Sequence, residues 1–303
     1  MSNRHSKMIF EVVGGLGNQL FGVSAGAYFQ DAHQKAVSIS LREVDQGITA
    51  HGVSVSRLKL PFQMIEQSSG KTLFSVWTRR LIFKLDRTLG NRSYFSRKLL
   101  HLYRSNVTGY DEFLDKSISQ HRIQGYFQSY VYAQALKNRS ETTPFNLKEE
   151  SNWLTEMKRR ALAEDPIVLH VRRGDYRNQL HDFGMLSPLY YENALIFLRR
   201  SLPHNPIWIF TDELASTQKE FENLDWKNVE WISPPAGVIA EESFVLMQYG
   251  IAHVISNSTF SWWAAYASNT SSIVLAPKPW MRNLEEPKTL IPPGWTRVKS
   301  DWI

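Results

Sequence analysis

Two adjacent arginines, Arg172 and Arg173, are the residues whose type and spacing most directly indicate chemistry. They follow the apolar run of residues 167–169, which Pro166 opens and which predicts a buried strand. Open α/β sheets bind ligands at the carboxyl ends of their strands, and guanidinium groups match phosphate oxygens in a bidentate way. The turn at residues 172–175 therefore predicts a site for a phosphate-bearing ligand. The alternatives are a strand end with solvated charges and, more weakly, an Arg-Gly-Asp adhesion tripeptide.

Two further polar turns each follow a predicted strand, at residues 211–213 and 256–261. Hydroxyl groups and free N–H groups at a helix N-terminus suit phosphate, and the second turn offers them at Ser256, Asn257, Ser258 and Thr259. Asp212 could accept hydrogen bonds from a base such as guanine. Taken singly, these residues are better explained as helix caps and an ordinary turn residue. Together with the arginine turn on one sheet edge, they favour a nucleotide site.

The first predicted strand, at residues 8–13, leads into a glycine-rich loop at residues 14–19 and then a helix over residues 20–29. This order can bring backbone N–H groups to an anion. The dinucleotide fingerprint would need a third glycine where Leu20 stands, which argues against that fingerprint. Small residues in this segment are also explained by close packing of a helix on a sheet.

The second half of the chain alternates strands and helices, which predicts a doubly wound parallel sheet. Ser187 and Pro188 have the types expected for a helix cap and first helical residue. We expect strands at residues 167–171, 207–210, 229–232, 252–255 and, as the last one, 272–276. The polar segment at residues 142–151 predicts a domain boundary, dividing the chain into residues 1–150 and 151–303.

Composition indicates a soluble globular protein: of 303 residues, 43% are hydrophobic and 21% are charged. The chain has no cysteine, which fits a cytoplasmic protein, and its N-terminus does not have the pattern of a signal peptide. It also lacks an Asp-x-Asp motif and paired histidines at metal-ligand spacing, so we expect no metal. The net charge of +6 favours anionic partners.

The basic charge is concentrated in residues 71–104, which carry nine Lys and Arg and one acid, Asp86. Helical spacing within residues 74–89 predicts an apolar stripe and an opposing basic face. The stripe comprises Phe74, Trp77, Leu81, Leu85 and Leu89, and the basic face comprises Arg79, Arg80, Lys84 and Arg87. Such a helix can lie in an anionic membrane surface, or it can pack its apolar side on the domain and leave its basic face in solvent. A non-enzymatic nucleic-acid binder is the rival that this basic run suggests, although we expect no nucleic-acid partner.

Several segments resemble the bacterial α-1,2-fucosyltransferases of glycosyltransferase family 11. His-Val-Arg-Arg-Gly-Asp-Tyr at residues 170–176 is similar to their H-x-R-R-G-D-Y motif, and residues 14–21 resemble their N-terminal G-G-L-G-N-Q-[LM]-F loop. Residues 256–263 are similar to their third motif, and residues 125–128 and the pair at 190–191 also fit. The sequence departs from the pattern at Gly22, where Gln is usual, and at Ser243, where Asp is usual.

This resemblance implies an α/β fold of the GT-B type, with two facing Rossmann-like domains that have parallel sheets. It implies transfer of L-fucose from GDP-fucose to O2 of a terminal β-galactose in a glycan, with inversion and without a metal or other cofactor. A fucosyltransferase of another linkage is the nearest alternative. The N-terminal domain would serve the acceptor, and the C-terminal domain would bind GDP-fucose. The expected setting is surface polysaccharide, O-antigen or oligosaccharide synthesis in the cytoplasm, with peripheral association at the inner face of the cytoplasmic membrane as an open alternative.

The resemblance also implies roles for individual residues. Arg172 would hold the β-phosphate with support from Arg173, while His170 and Asp212 would meet the guanine or ribose. Asn18 would approach from the opposing domain. Independently of the resemblance, Asp175 is the only acid in the arginine motif and is our candidate base. The alternatives are that Asp175 pairs with Arg173 or a nearby N–H, and that the reaction proceeds without a strong base. The remaining expected donor-binding residues are Gly15, Gly17, Ser256, Asn257, Ser258, Thr259, Phe260 and Ser261.

Overall fold

The computed structural model describes residues 7–45, 52–65, 76–88, 94–116, 121–139, 144–268 and 273–303. The chain forms two compact units. The N-terminal unit contains Met1–Ser56, Leu60–Thr142 and Pro287–Leu290, and the C-terminal unit contains Arg57–Lys59, Thr143–Glu286 and Ile291–Ile303. Each unit therefore includes one short segment that lies, in sequence, within the other unit. We call Arg57–Lys59, which belongs to the C-terminal unit, the first strap, and Pro287–Leu290, which belongs to the N-terminal unit, the second strap.

The N-terminal unit is built on a five-stranded parallel sheet with the order β3-β2-β1-β5-β4. Its strands are β1 (Met8–Glu11), β2 (Val37–Ser40), β3 (Gln63–Ile65), β4 (Leu102–Arg104) and β5 (Arg122–Gln124). Its helices are α1 (Leu16–His33), α2 (Arg42–Asp45), α3 (Val76–Thr88), α4 (Tyr94–Leu100), α5 (Glu112–Lys116) and α6 (Tyr130–Lys137). The second strap joins this unit, since the Tyr130 N–H donates to the Thr289 carbonyl at 2.8 Å.

Helix α1 begins at Leu16, four residues earlier than the sequence predicts, so Gly17 and Asn18 are helical and not part of a loop. The Gln19 side chain stabilises this first turn by donating to the Gly14 and Val53 carbonyls at 2.9 and 3.0 Å. Further along, a Cβ on Gly22 would lie 2.9 Å from Val12. The packing explanation for the small residues of α1 is thus correct, and it accounts for Gly22 at the position where the family usually has Gln.

Helix α3 does not pack as its amphipathic spacing predicts. Its ion-paired Arg79 and its apolar Ile82 are buried, while Trp77, Leu81 and Leu85 of the apolar stripe are exposed. The expectation that Arg79 belongs to an exposed basic face is therefore wrong, and so is the alternative in which the stripe packs inward. The end positions of the stripe, 74 and 89, lie outside the described residues.

The C-terminal unit is built on a six-stranded parallel sheet with the order β11-β10-β9-β6-β7-β8. Its strands are β6 (Ile167–Val171), β7 (Ile207–Thr211), β8 (Val229–Trp231), β9 (Ala252–Val254), β10 (Ile273–Lys278) and β11 (Thr296–Lys299). Its helices are α7 (Asn152–Glu164), α8 (Pro188–Arg199), α9 (Leu214–Glu220), α10 (Ala240–Met247) and α11 (Thr259–Ala267). Ser187 caps α8 and Pro188 opens it, as predicted.

Contrary to our prediction, the strand expected at residues 272–276 is not the last strand of the chain, because β11 follows it and forms the edge of the sheet. The first strap belongs to this unit: Leu58 pairs with Leu147, and the half-exposed Arg57 guanidinium lies 3.0 Å from the buried Glu241 carboxylate. Trp262 and Trp263 are fully buried, so they belong to the core. Two α/β units with wholly parallel sheets confirm the predicted fold class. In the described parts of the chain, no helix is long and apolar enough to cross a membrane.

Candidate active site

The three polar turns predicted for one sheet edge follow three neighbouring strands. Strand β6 lies between β9 and β7, and all pairings are parallel, so the carboxyl ends of these strands meet at the same edge. Residues 172–175 follow β6, residues 211–213 overlap the end of β7, and residues 256–261 follow β9 and open α11. The edge that the sequence predicts for ligand binding therefore has the arginine turn at its centre.

The Arg172 guanidinium is held by two carboxylates. Its NH2 atom lies 2.6 Å from Asp175 Oδ1, and its NH1 atom lies 2.6 Å from Asp212 Oδ2. The guanidinium also lies over the Tyr176 ring, 5.6 Å from the ring centroid. The side chain keeps 17% of its surface exposed. Arg172 is thus a fixed and accessible cation, suited to bidentate contact with phosphate oxygens.

The Arg173 side chain turns the other way and is fully buried. Its Nε donates to Glu220 Oε2 at 2.7 Å, and its NH1 donates to the Arg172 carbonyl at 3.0 Å. A guanidinium in this environment needs its carboxylate partner, because an uncompensated buried charge is strongly unfavourable. Arg173 therefore ties the end of β6 to α9, and its expected supporting part in donor binding stays a prediction.

Asp212 positions both arginines. Its Oδ1 accepts a hydrogen bond from the Arg173 backbone N–H at 2.8 Å, while its Oδ2 contacts Arg172. Gly174 makes this close approach possible, because a Cβ at that position would lie 2.6 Å from Asp212 Oδ2. Both carboxylate oxygens are therefore engaged within the turn, and the expected contact of Asp212 with guanine or ribose stays a prediction.

His170, at the fourth position of β6, is buried beneath the arginine turn. Burial, aided by the positive charge of Arg172, lowers the pKa of His170 to about 3, so the imidazole is neutral at physiological pH. Its Nδ1 lies 2.8 Å from Ser256 Oγ, and its ring lies 5.9 Å from the Phe260 ring between centroids. This contact joins the ends of β6 and β9, so His170 organises the site from below.

The turn that opens α11 is shaped by its own polar side chains. Asn257 Nδ2 donates to the Phe183 carbonyl at 2.9 Å, and the Tyr176 hydroxyl donates to the Asn257 carbonyl at 2.8 Å. Ser258 caps the helix by accepting from the Phe260 N–H, and Ser261 Oγ donates to the Ser258 carbonyl at 3.2 Å. These bonds fix the start of the nine-residue helix α11, which follows β9 at the same sheet edge as Arg172. A helix N-terminus carries partial positive charge and unpaired N–H groups, which favour an anion.

The predicted residues of the N-terminal unit form a separate group at the start of α1. Gly15 precedes the helix in extended conformation, with open space where a Cβ would stand, and Gly17 is buried in the first turn. Asn18 Oδ1 accepts a hydrogen bond from Gln128 Nε2 at 2.9 Å. The loop motif at residues 14–21 and the motif at residues 125–128 are thus joined by one side-chain hydrogen bond.

The model of the family described as "Glycosyl transferase family 11" matches residues 52–299. The chain belongs to glycosyl transferase family 11. It is 23% identical over 304 residues to an alpha-1,2-colitosyltransferase of Escherichia coli, an alignment that covers 97% of this chain and all of that protein. It is 24% identical over 192 residues to galactoside 2-alpha-L-fucosyltransferase SEC1 of Bos taurus, covering 59% of this chain and 52% of that protein.

Solved structures show the same fold. Fucosyltransferase NodZ from Bradyrhizobium matches with a TM-score of 0.51 at 13% identity, covering 90% of this chain and 94% of that one. A mutant of FUT1 from Arabidopsis thaliana in complex with GDP matches with a TM-score of 0.50 at 11% identity, covering 96% of this chain and 76% of that one. The protein is therefore a glycosyltransferase of family 11 with a GT-B-like fold.

Sequence reasoning missed several residues that hold the family 11 site together. Tyr176, Glu220 and Gln128 each contact a predicted site residue through the bonds given above. Tyr176 ends the H-x-R-R-G-D-Y motif and Gln128 closes the Gly-Tyr-Phe-Gln segment, so both carried a sequence signal without being assigned a role. Glu220 carried none, since it lies 47 residues from Arg173. Among the residues that the structure describes, no cluster of three or more His, Cys, Asp or Glu side chains could hold a metal ion.

Proposed function

We propose that this enzyme transfers L-fucose from GDP-fucose to O2 of a terminal β-galactose, with inversion, to form an α-1,2 linkage. The observation that carries the proposal is the fixed Arg172 at the shared carboxyl edge of β9, β6 and β7. The α-1,2 linkage is supported by the names of the two relatives, since one is an alpha-1,2-colitosyltransferase and the other a galactoside 2-alpha-L-fucosyltransferase. We assign the donor to the C-terminal unit and the acceptor to the N-terminal unit.

In the proposed reaction the acceptor O2 forms a bond to the anomeric carbon of fucose, and the bond between that carbon and the β-phosphate oxygen breaks. Negative charge then grows on the departing GDP. Arg172 and the N-terminus of α11 are placed to neutralise this charge, and donors that are fixed in advance lose little free energy to reorganisation. The diphosphate would compete with Asp175 and Asp212 for the Arg172 guanidinium. Asp212 would still hold the turn in place, because its Oδ1 accepts a hydrogen bond from the backbone N–H of Arg173.

Two further groups have proposed parts in the transfer. Asp175, the more exposed of the two carboxylates on Arg172, would accept the proton from the acceptor hydroxyl as donor binding frees it. Asn18, held by Gln128, would orient a substrate hydroxyl. His170 is neutral and buried, which suits a positioning role for the turn that opens α11.

The direct test is incubation of the protein with GDP-fucose and lactose, followed by linkage analysis of the product. We expect fucosyllactose with the new bond at O2 of galactose. Arg172→Ala should lower kcat by about 10²–10³, as loss of one preorganised donor does. Arg172→Lys is the matched control for charge, and it should also fail because a point charge cannot reproduce the guanidinium fork. Near-normal turnover by Arg172→Ala would contradict the assignment.

A second candidate is transfer of colitose in the same linkage, and the match to the alpha-1,2-colitosyltransferase over 97% of this chain favours it. Colitose is L-fucose without its 3-hydroxyl group. A site that hydrogen-bonds a substrate hydroxyl rejects the analogue lacking it by about 10⁴–10⁵, whereas an apolar site discriminates far less. The ratio of kcat/KM for the two GDP-sugars therefore decides between them, and we expect it to favour fucose.

We also propose that transfer needs no metal ion, because Arg172 and the N-terminus of α11 can supply the positive charge that the leaving diphosphate requires. The test is activity after treatment with a chelator. We expect an unchanged kcat with EDTA, and no further increase when Mg²⁺ or Mn²⁺ is added. Loss of activity with EDTA that Mn²⁺ restores would contradict this part of the proposal and leave the sugar transfer itself intact.

A further inference from the structure

Helix α3 exposes three large apolar side chains to solvent, and nothing in the proposed transfer reaction uses them. Trp77 is 78% exposed, Leu81 57% and Leu85 40%, and the basic side chains of Arg80 and Lys84 are exposed beside them. We call these five residues the α3 face. At about 100° per residue they lie within an arc of about 140° on one side of the helix.

The orientation of α3 is fixed from its inner side. Arg79 NH2 donates to Glu11 Oε2 at 2.7 Å, and both side chains are buried. Asp86, also buried, accepts from the backbone N–H groups of Phe95 and Ser96 at 2.6 and 3.1 Å. Rotating the helix to cover Trp77 would expose this ion pair and break the bonds at the start of α4. The α3 face is therefore held outward by its own opposite side.

The described side chains that α3 and α4 expose carry charge of one sign. The sequence of α3 contains a single acid, the buried Asp86, and α4 contains none. Helix α4, which packs beside α3, adds exposed Tyr94, Lys98 and Leu99. The Arg80 guanidinium lies 5.8 Å from the Trp77 ring centroid, so cation and aromatic ring share the same surface. Both helices thus offer apolar and basic side chains together.

This composition fits an anionic lipid surface better than a protein partner or nucleic acid. Helices that lie in a membrane interface combine Trp and Leu with Lys and Arg, whose apolar stems allow the charged ends to reach the lipid headgroups. Lysine is depleted in protein–protein interfaces, whereas Lys84 belongs to the α3 face and Lys98 is exposed on the neighbouring helix α4. A phosphate backbone would use the cations and leave the three apolar side chains in water.

We propose that the α3 face docks the enzyme on a bilayer that contains anionic lipid. Each Lys or Arg near such a surface contributes about 1 kcal/mol, roughly fivefold in binding, and buried apolar side chains add to this. The docking is independent of which sugar the enzyme transfers.

The test is sedimentation of the 303-residue chain with vesicles of equal parts phosphatidylglycerol and phosphatidylcholine, with pure phosphatidylcholine vesicles as the comparison. We expect binding to the mixed vesicles at about 0.01 M salt and release near 1 M, where the Debye length falls to about 3 Å. Arg80→Glu with Lys84→Glu should weaken binding by at least about 25-fold, from two contributions of roughly fivefold. Trp77→Ala with Leu81→Ala should weaken it by at least about tenfold.

Matched controls separate the α3 face from general charge and hydrophobicity. Lys116→Glu with Arg159→Glu makes the same charge change at two exposed residues elsewhere and should keep most of the binding. Leu162→Ala with Ile196→Ala removes exposed apolar side chains from the other unit and should also bind as the wild type does. Activity on soluble lactose, or any turnover of a GDP-sugar, should be unchanged in all four variants.

Three results would overturn the proposal. The first is wild-type protein that stays in the supernatant with anionic vesicles at low salt. The second is equal loss of binding in the Lys116→Glu, Arg159→Glu control. The third is a dimer in sedimentation-velocity experiments on the wild type that the Trp77→Ala, Leu81→Ala variant converts to monomers, if those monomers still bind vesicles. That result would show that the α3 face joins two copies of the protein. Failure of sugar transfer with intact vesicle binding would count against the proposed function alone.

Discussion

Acidification from pH 7 to pH 5 is expected to destabilise the C-terminal unit through two buried histidines. Burial lowers the pKa of His170 to about 3 and that of His253 to about 4, whereas a histidine in an unfolded chain titrates near 6.5. Both folded-state pKa values lie below the unfolded value, so the unfolded chain binds more protons as the pH falls. The stability they contribute is complete above about pH 6.5 and is lost progressively between about pH 6.5 and the folded values.

The magnitude follows from the same two values. At pH 5 almost every unfolded histidine is protonated while His170 and His253 remain neutral in the fold, which costs about 2 kcal/mol for each relative to pH 7. The loss for the pair is therefore about 4 kcal/mol. This is a large fraction of the free energy of unfolding of a typical domain, which is about 5–15 kcal/mol.

Urea denaturation followed by tryptophan fluorescence measures this loss in the correct unit, since Trp77 is the only one of ten tryptophans outside the C-terminal unit. His253→Gln is the matched variant, because its amide can replace the hydrogen bond between His253 Nε2 and the Met247 carbonyl. Its loss between pH 7 and pH 5 should shrink to about 2 kcal/mol. The reasoning is refuted if the variant and the wild type lose equal stability, or if either imidazole titrates near pH 6.5 in the native protein by NMR.

Three further substitutions test the arginine turn. Gly174→Ala would place its Cβ 2.6 Å from Asp212 Oδ2, so the carboxylate must move, and kcat in initial-rate assays should fall by about 10–100-fold; an unchanged kcat would contradict this. Glu220→Gln removes the counter-charge of the buried Arg173 and should lower the free energy of unfolding, measured in urea, by about 2 kcal/mol; an unaltered midpoint would show that the ion pair is dispensable. Asp175→Asn should lower kcat by about 10²–10⁴ with donor binding intact if Asp175 is the base, and retention of most of kcat would exclude that role.

Local sequence signals predicted much of the C-terminal unit. The run Ile-Val-Leu-His-Val of β6 is buried along its length, and Ser187 with Pro188 opens α8, because these preferences depend on neighbours in the chain. Strand β11 was missed because Thr-Arg-Val-Lys has one apolar residue and lies partly exposed at the sheet edge. The packing of its sheet neighbour, and not its own composition, makes it a strand.

The anion-binding character of the sheet edge at residues 172–175 was predictable from the sequence. The different positions of Arg172 and Arg173 within it were not. Two adjacent arginines after a strand indicate an anion site, yet the inward turn of Arg173 depends on Glu220, 47 residues away. The outward face of α3 has a similar cause, since the partner of Arg79 is Glu11, at a separation of 68 residues. The spacing of apolar residues shows that a helix has an apolar and a polar side. Only the residues that it contacts in the folded protein determine which side is buried.

The first strap limits where two members of this family can be joined to make a functional chimera. A recombination point at residue 143 would look natural, because most of each unit lies on its own side of that position. The buried Glu241, however, draws its counter-charge from Arg57, which such a crossover would replace with the residue of another parent. Removing the partner of a buried carboxylate is unfavourable, although solvent around the half-exposed Arg57 screens part of the cost. Functional chimeras should therefore inherit residues 57–59 together with the C-terminal half, and the same linkage should leave paired changes at positions 57 and 241 when related sequences are compared.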